Sequence, residues 1–201
     1  MFITPKKAKI YLLIAAFLLA IPTLAEFHSG YDGKLLVFTS HRGNNPFVDT
    51  VVYVSQHSLY GAHGVVINKP LAGKNRELPK GIPENFGPVD YGGPVRGDNP
   101  EHNFHVLVRQ DDHSVILVSL EKLLDNKPDF FEKADPEKVR LVYGYAGWFG
   151  TQLDVEVARG HWRVTEYDPD LVFTDDSQSE IYKEALKKVS KTSGNPGDQA
   201  F

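Results

Sequence analysis

Of the residues able to move a proton, eight histidines among them, two stand out as candidate general bases. His57 ends a β-branched and aromatic run, and Glu156 lies in a segment with helical spacing. Either can act as the general base of a hydrolytic reaction if a substrate comes within hydrogen-bond reach. A glycine-rich run over residues 144–150, containing Gly144, Tyr145, Gly147 and Trp148, precedes the helix that would carry Glu156. Free backbone N–H groups at such a bend can cradle an anion. The same run also reads as a close turn that lets Trp148 pack as a lid on the core. Gln152 and Glu156 are four apart and share a helix face. They can line a pocket with Asn68 or His57, or form a solvated edge.

Other chemistries are excluded by composition. The chain has 201 residues and no cysteine, which removes thiol catalysis, disulfides, iron–sulfur clusters and cysteine zinc sites. No G-x-S-x-G elbow, H-E-x-x-H helix, Walker loop or EF-hand loop occurs. His102 and His105 are three apart, which on a strand sends them to opposite faces. His57 and His63 flank a turn and can approach each other, but no third ligand stands in pattern. Neither a metal site nor a cofactor is expected.

These residues need elements to hold them. The apolar run at residues 35–38 predicts a buried strand. Residues 50–55 and 64–68 predict two strands joined as a hairpin around a turn at 58–61. Residues 71–88 are a long excursion with room for one short helix. Val89, Asp90 and Tyr91 run into Gly92, Gly93 and Pro94, which predicts a tight turn. A second hairpin is expected from 103–108 and 114–119, then a short helical piece at 120–124 and a strand at 140–145. Thr151 with Asp154 reads as a capping box, predicting a helix over 152–159 closed by Gly160. A strand follows at 162–165. Ser177 with Glu180 is a second box, opening a helix in which Ile181, Tyr182, Ala185, Leu186 and Val189 recur at helical spacing. Strands outnumber helices, and hairpins join many of them. The fold class is α+β, one compact domain with a mixed, largely antiparallel sheet.

The first 25 residues read as an address. Lys6, Lys7 and Lys9 precede twelve consecutive apolar residues, 10–21, and small residues stand at Thr23 and Ala25. That order is a secretory signal peptide, and twelve is short of the ~20 residues a permanent span needs. The expected product is exported and periplasmic after cleavage near Ala25, an uncleaved anchor being the minority reading. Its contact with the membrane is then transient. The chain divides into a leader at 1–25, a domain at 26–189 and a flexible polar tail at 190–201. Cleavage removes three lysines and no acids, taking the net charge from −4 to −7. An acidic chain without a basic patch is poorly suited to nucleic acid, which needs clustered Lys and Arg.

Several ordered blocks together resemble the AlgH/YqgE family of uncharacterised proteins. The first runs from Thr50 through His57 to Gly64, Asn68 and Leu71. The second is Tyr91 to Val95, and the third is Gly144 to Trp148 with Gln152, Leu153, Glu156 and Trp162. The resemblance covers roughly residues 35–189. It implies strands forming a bifurcated, barrel-like sheet, a pseudo-barrel flanked by helices. It implies a shared site near Asn68, Gly92, Gly93, Pro94 and the 144–148 block, and no established activity. The family name comes from a proposed transcriptional regulator. Many relatives carry cysteine where Ser55 stands here, and relatives typically begin near the first strand.

The expected function is therefore an exported, non-enzymatic binding or accessory domain whose partner is a small molecule or a protein. A hydrolase using His57 or Glu156 is one alternative. A transcriptional regulator is the other, opposed by export and by charge.

Overall fold

A computed structural model describes residues 30–40, 45–71 and 78–192. The proposed leader, including Ala25, and most of the proposed tail lie outside the described residues.

The strands form two sheets. Leu35–Phe38 (β1), Val51–Ser58 (β2) and Gly61–Val66 (β3) are joined by Ala146–Phe149 (β8) and Trp162–Thr165 (β9) in the order β8-β3-β2-β1-β9. Every pairing in this five-stranded sheet is antiparallel. Asp90–Tyr91 (β4), Phe104–Arg109 (β5), Val115–Ser119 (β6) and Val139–Tyr143 (β7) make the second sheet, ordered β4-β7-β5-β6. Only β4 with β7 is parallel. The α+β class, the mixed sheet and both hairpins are as the sequence predicts. The barrel is not closed: the described strands form two sheets, each with free edges, joined along a seam.

That seam is built from glycines. Val66 N–H donates to Gly92 O at 2.7 Å, Tyr91 N–H to Lys69 O at 2.8 Å, and Gly92 N–H to Tyr143 O at 2.9 Å. A β-carbon on Gly92 would stand 2.2 Å from Gly144 O, and one on Gly93 would stand 2.2 Å from Tyr145 C and O. Backbones can lie this close only because Gly92 and Gly93 carry no β-carbon. Gly144 has φ +79°. That left-handed residue turns the chain out of β7 in one sheet and into β8 in the other. Gly92, Gly93 and Pro94 are thus an extended crossing, not a tight turn; only Pro94 bends.

Among the described residues five helices cover the sheets. Gln152–Ala158 (α3) packs Leu153 on Leu36, Val52, Val54, Ala62, Trp148 and Trp162, on one face of the large sheet. Gln178–Thr192 (α5) covers its other face with Ile181, Tyr182, Ala185 and Val189, meeting Leu107 and Val142 of the second sheet. Both faces of β1 are therefore dry, which is why residues 35–38 are apolar without alternation. Leu120–Asn126 (α1) and Phe130–Lys133 (α2) cap the remaining face with Leu71, Ile82 and Phe86 from the excursion. Pro169–Val172 (α4) leads into α5. No helix among the described residues is long and apolar enough to cross a membrane.

Ahead of β1, Gly33 N–H donates to Val54 O at 2.9 Å and Tyr31 lies over His57, with ring centroids 4.8 Å apart. Two local differences have simple causes. Thr151 makes no side-chain cap, its backbone at φ −90°, ψ 18° lying outside the extended region usual at an N-cap; Gln152 Oε1 instead accepts from Phe149 N–H at 3.3 Å. The last helix runs three residues past Val189, to Thr192. Its box forms by the acidic half, Glu180 Oε2 accepting from Ser177 N–H at 3.0 Å.

Candidate functional site

The residues singled out from the sequence fall in three places. His57, Trp148, Gln152 and Glu156 gather under α3. Gly92, Gly93, Pro94, Gly144, Tyr145 and Gly147 lie along or beside the seam. Asn68 stands at the end of β3, beside the start of α5.

Under α3, the carboxylate of Glu156 is fully engaged. Its Oε2 accepts from the indole N–H of Trp148 at 3.0 Å and of Trp162 at 2.8 Å, and its Oε1 accepts from Gln152 Nε2 at 2.8 Å. Trp162 is 1% exposed; Phe38, Phe47 and Trp148 surround it in edge contacts, and Phe47 stacks on Trp148. A buried indole N–H needs an acceptor, and Glu156 serves two. This is a structural clasp in which each carboxylate oxygen already accepts from a side-chain donor. Gln152 and Glu156 do share a face, as their spacing predicts.

His57 is also enclosed. It is 5% exposed, its Nε2 lies 3.4 Å from Asp154 Oδ2, and Tyr31 covers its ring. Its Nδ1 is buried and has no hydrogen-bond partner. His57 and His63 do not approach each other. His57 pairs with Ala62 and Gln56 with His63, so the two imidazoles leave the hairpin on opposite faces.

The glycine-rich run is not an anion cradle. Residues 146–149 are strand β8, and the amides the cradle would need are taken. Gly144 N–H donates to Asn103 O, Tyr145 N–H to Val95 O and Gly150 N–H to Tyr60 O. The alternative reading, Trp148 as a packed lid, is the observed one. Asn68 is likewise saturated: Oδ1 accepts from Val51 N–H at 2.8 Å, and Nδ2 donates to Asp49 O and Gln178 O. It fastens β2, β3 and the start of α5 to one another.

Two features escaped the sequence reading. One is a cleft of about 820 Å³ between β7, the 85–88 segment and the α4–α5 connection. Its wall holds the Asp90–Arg140 ion pair, Nε to Oδ2 2.7 Å, with side chains 12% and 14% exposed. Arg140 also donates to Val172 O at 2.6 Å. Burial pushes the Asp90 carboxyl up from the ordinary aspartate range, and Arg140 pulls it back. Six carboxylates line the cleft against three cationic side chains, so its field favours positive charge. Asp90 and Arg140 are 50 residues apart, and no local spacing announces them.

The other is a ring cluster across the seam. His63 of β3 and His105 of β5 have ring centroids 6.1 Å apart, with Tyr145 at 4.4 Å from His63. Ser55 Oγ lies 3.1 Å from His63 Nδ1. This resembles a serine–histidine dyad, but burial and the neighbouring His105 lower the His63 pKa to about 4. A general base works best with a pKa near the operating pH, and His63 is too weak a base for that role at neutrality. His102, by contrast, sits in the turn at Pro100–Asn103, 3.6 Å from Glu121. Among the described residues no group of three or more His, Asp or Glu is placed to hold a metal.

Comparison with known proteins agrees with this architecture. The sequence pattern described as AlgH-like matches residues 35–193. A UPF0301 protein of Methylococcus capsulatus is 32% identical over 183 residues, covering 83% of this chain and 95% of its own. One from Coxiella burnetii is 33% identical over 178 residues, covering 84% and 85%. Among solved structures, the AlgH protein from Pseudomonas aeruginosa superposes with a TM-score of 0.58 at 23% identity, over 82% of this chain and 94% of that one. A Corynebacterium diphtheriae protein gives 0.57 at 21% identity, over 78% and 86%. These two likenesses are of fold.

Proposed function

The chain belongs to the AlgH-like family, a family of uncharacterised proteins, and from that premise we propose that it is an exported, non-enzymatic binding or accessory domain. Its ligand occupies the cleft walled by the Asp90–Arg140 pair. The observation that carries this reading is the cleft itself. Its volume of about 820 Å³ falls within the ~300–1,000 Å³ of small-molecule sites, and its excess of carboxylates suits a ligand with a cationic nitrogen. The occupied Glu156 carboxylate and the enclosed His57 support a binding role over a hydrolytic one. The order of the leader supports export, and the acidic mature chain opposes direct contact with DNA.

The test has two parts. The mature chain is titrated with amine metabolites and with carboxylate metabolites of similar size while its amide NMR spectrum is recorded. Amines should shift the signals of Asn85, Asp175 and Gln178, which line the cleft. If those signals stay fixed while another surface responds, the cleft is the wrong site. In parallel, fractionation and intact mass should find a periplasmic species beginning at Glu26. A cytoplasmic species that retains the leader would overturn export.

A further inference from the structure

We propose that His63 and His105 form a binding site for one divalent transition-metal ion, each imidazole ligating through Nε2. The site lies apart from the cleft and does not depend on the reading given to it. The two rings come from different sheets. They line one pocket of about 410 Å³ with Ser55, Gln56 and Ser119.

Hydrogen-bond accounting sets the tautomers. His105 Nδ1 lies 3.0 Å from Asn103 O. A carbonyl only accepts, so this nitrogen carries the proton and Nε2 keeps its lone pair. Ser55 Oγ lies 3.0 Å from His63 O and 3.1 Å from His63 Nδ1. The hydroxyl has one proton, which goes to the carbonyl; its oxygen then accepts from His63 Nδ1–H. The lone pair of His63 is therefore also on Nε2. Among the described residues neither Nε2 has a hydrogen-bond partner, neither is a buried unpartnered atom, and both residues line the same pocket. A ligating histidine commonly donates its other N–H to a carbonyl, carboxylate or water, which holds the ring and raises its basicity. Here Asn103 O and Ser55 Oγ stand in those places before any metal arrives.

The spacing is compatible. A metal lies about 2.1 Å from a histidine nitrogen, and the ring centre is about 1.2 Å further back. Two imidazoles on one ion then have centres about 5–6.5 Å apart, depending on the angle at the metal, and the observed separation is 6.1 Å. Two protein ligands leave the other coordination positions to water, one protein ligand fewer than the three of an open zinc site. The β-bulge between Val54 and Gln56 places Ser55 out of the regular ladder, where it reaches His63. The expectation of no metal considered His57 with His63; the sheet pairing brings His63 to His105 instead.

Zn2+ is the probe, added to the full mature chain after chelator treatment. Calorimetry should show one equivalent bound. His63→Ala and His105→Ala should each weaken binding tenfold or more, while His102→Ala, at a surface histidine, should leave it unchanged. Long-range proton–nitrogen NMR of the unsubstituted protein gives the same answer without a folding risk: Zn2+ should shift Nε2 of both His63 and His105, with Nδ1–H retained. Binding that survives both substitutions would overturn the proposal. So would a spectrum in which other histidines respond, or in which no histidine responds.

Discussion

At the residue scale, Glu156 decides between a structural and a catalytic account of the α3 face. One carboxylate oxygen accepts from two indoles, one of them on a fully buried tryptophan. Orphaning a buried donor costs about 1–3 kcal/mol. Glu156→Ala should therefore lower stability by about 3 kcal/mol, read as a shift in the urea midpoint, with loss of the near-ultraviolet tryptophan signal. Glu156→Gln keeps an acceptor for the indoles and should cost about 1 kcal/mol. If Glu156→Ala instead leaves stability intact and removes a turnover, the catalytic reading returns. Spacing did place Gln152 and Glu156 on one face. Trp148 and Trp162 flank α3 in sequence, but which partner that face meets was not legible, because they sit on the two edge strands of the five-stranded sheet and only the sheet order brings them together.

At the element scale, periodicity did well and pairing did poorly. Helix α5 announces itself through Ile181, Tyr182, Ala185 and Val189, all of which are buried. Both hairpins follow from β-branched runs flanking short turns. The 144–150 run was open between bend and lid because glycine permits both. Strand β8 forms there because β3 offers Gly61, Ala62, His63 and Gly64 as partners, and tertiary pairing outweighs local preference. Strand β7 illustrates a tie invisible in sequence. Arg140 holds Asp90 of β4 and also the carbonyl of Val172 at the end of α4. Removing one member of a buried pair is costly, up to about 3–5 kcal/mol, whereas replacing both is milder. Arg140→Met should destabilise by about 3 kcal/mol at pH 8, and Arg140→Met with Asp90→Asn should recover part of that. The pH dependence has a definite sign. Without Arg140 the folded Asp90 carboxyl rises further above its unfolded value, so the folded state binds the extra proton. The deficit of Arg140→Met should shrink as pH falls from 8 towards 5. A deficit that grows on acidification would mean that Arg140 acts mainly through Val172 O.

At the scale of the whole molecule, the question is whether two sheets make one folding unit. The class was legible from many short strands and few helices, and the family blocks carried the barrel-like expectation. The split into two sheets was not legible, since it depends on where backbones touch. Gly92 and Gly144 supply that contact, and His63 and His105 face each other across it. The chain has only two tryptophans, and both lie in the five-stranded sheet, on β8 and β9. Their fluorescence therefore reports one sheet, while far-ultraviolet circular dichroism reports both. If the seam couples them, the two probes should give coincident urea transitions. Gly92→Ala places a methyl 2.2 Å from a carbonyl oxygen, with the Val142 β-carbon at 3.1 Å behind it. It should lower stability by about 3 kcal/mol, read from the urea midpoint, as overpacked core changes do. Gly150→Ala is the control. Nothing lies within 4 Å of its added carbon, and φ is +53°, so only the left-handed strain of about 1–2 kcal/mol applies. Coincident transitions in both variants, with the larger loss at Gly92, are the expected outcome. If Gly92→Ala separates the transitions, leaving tryptophan fluorescence native while half the dichroism is lost, the seam joins two sheets that fold on their own. The cleft and the histidine pair would then be features of an interface, each with a stability separate from that of the cores behind it.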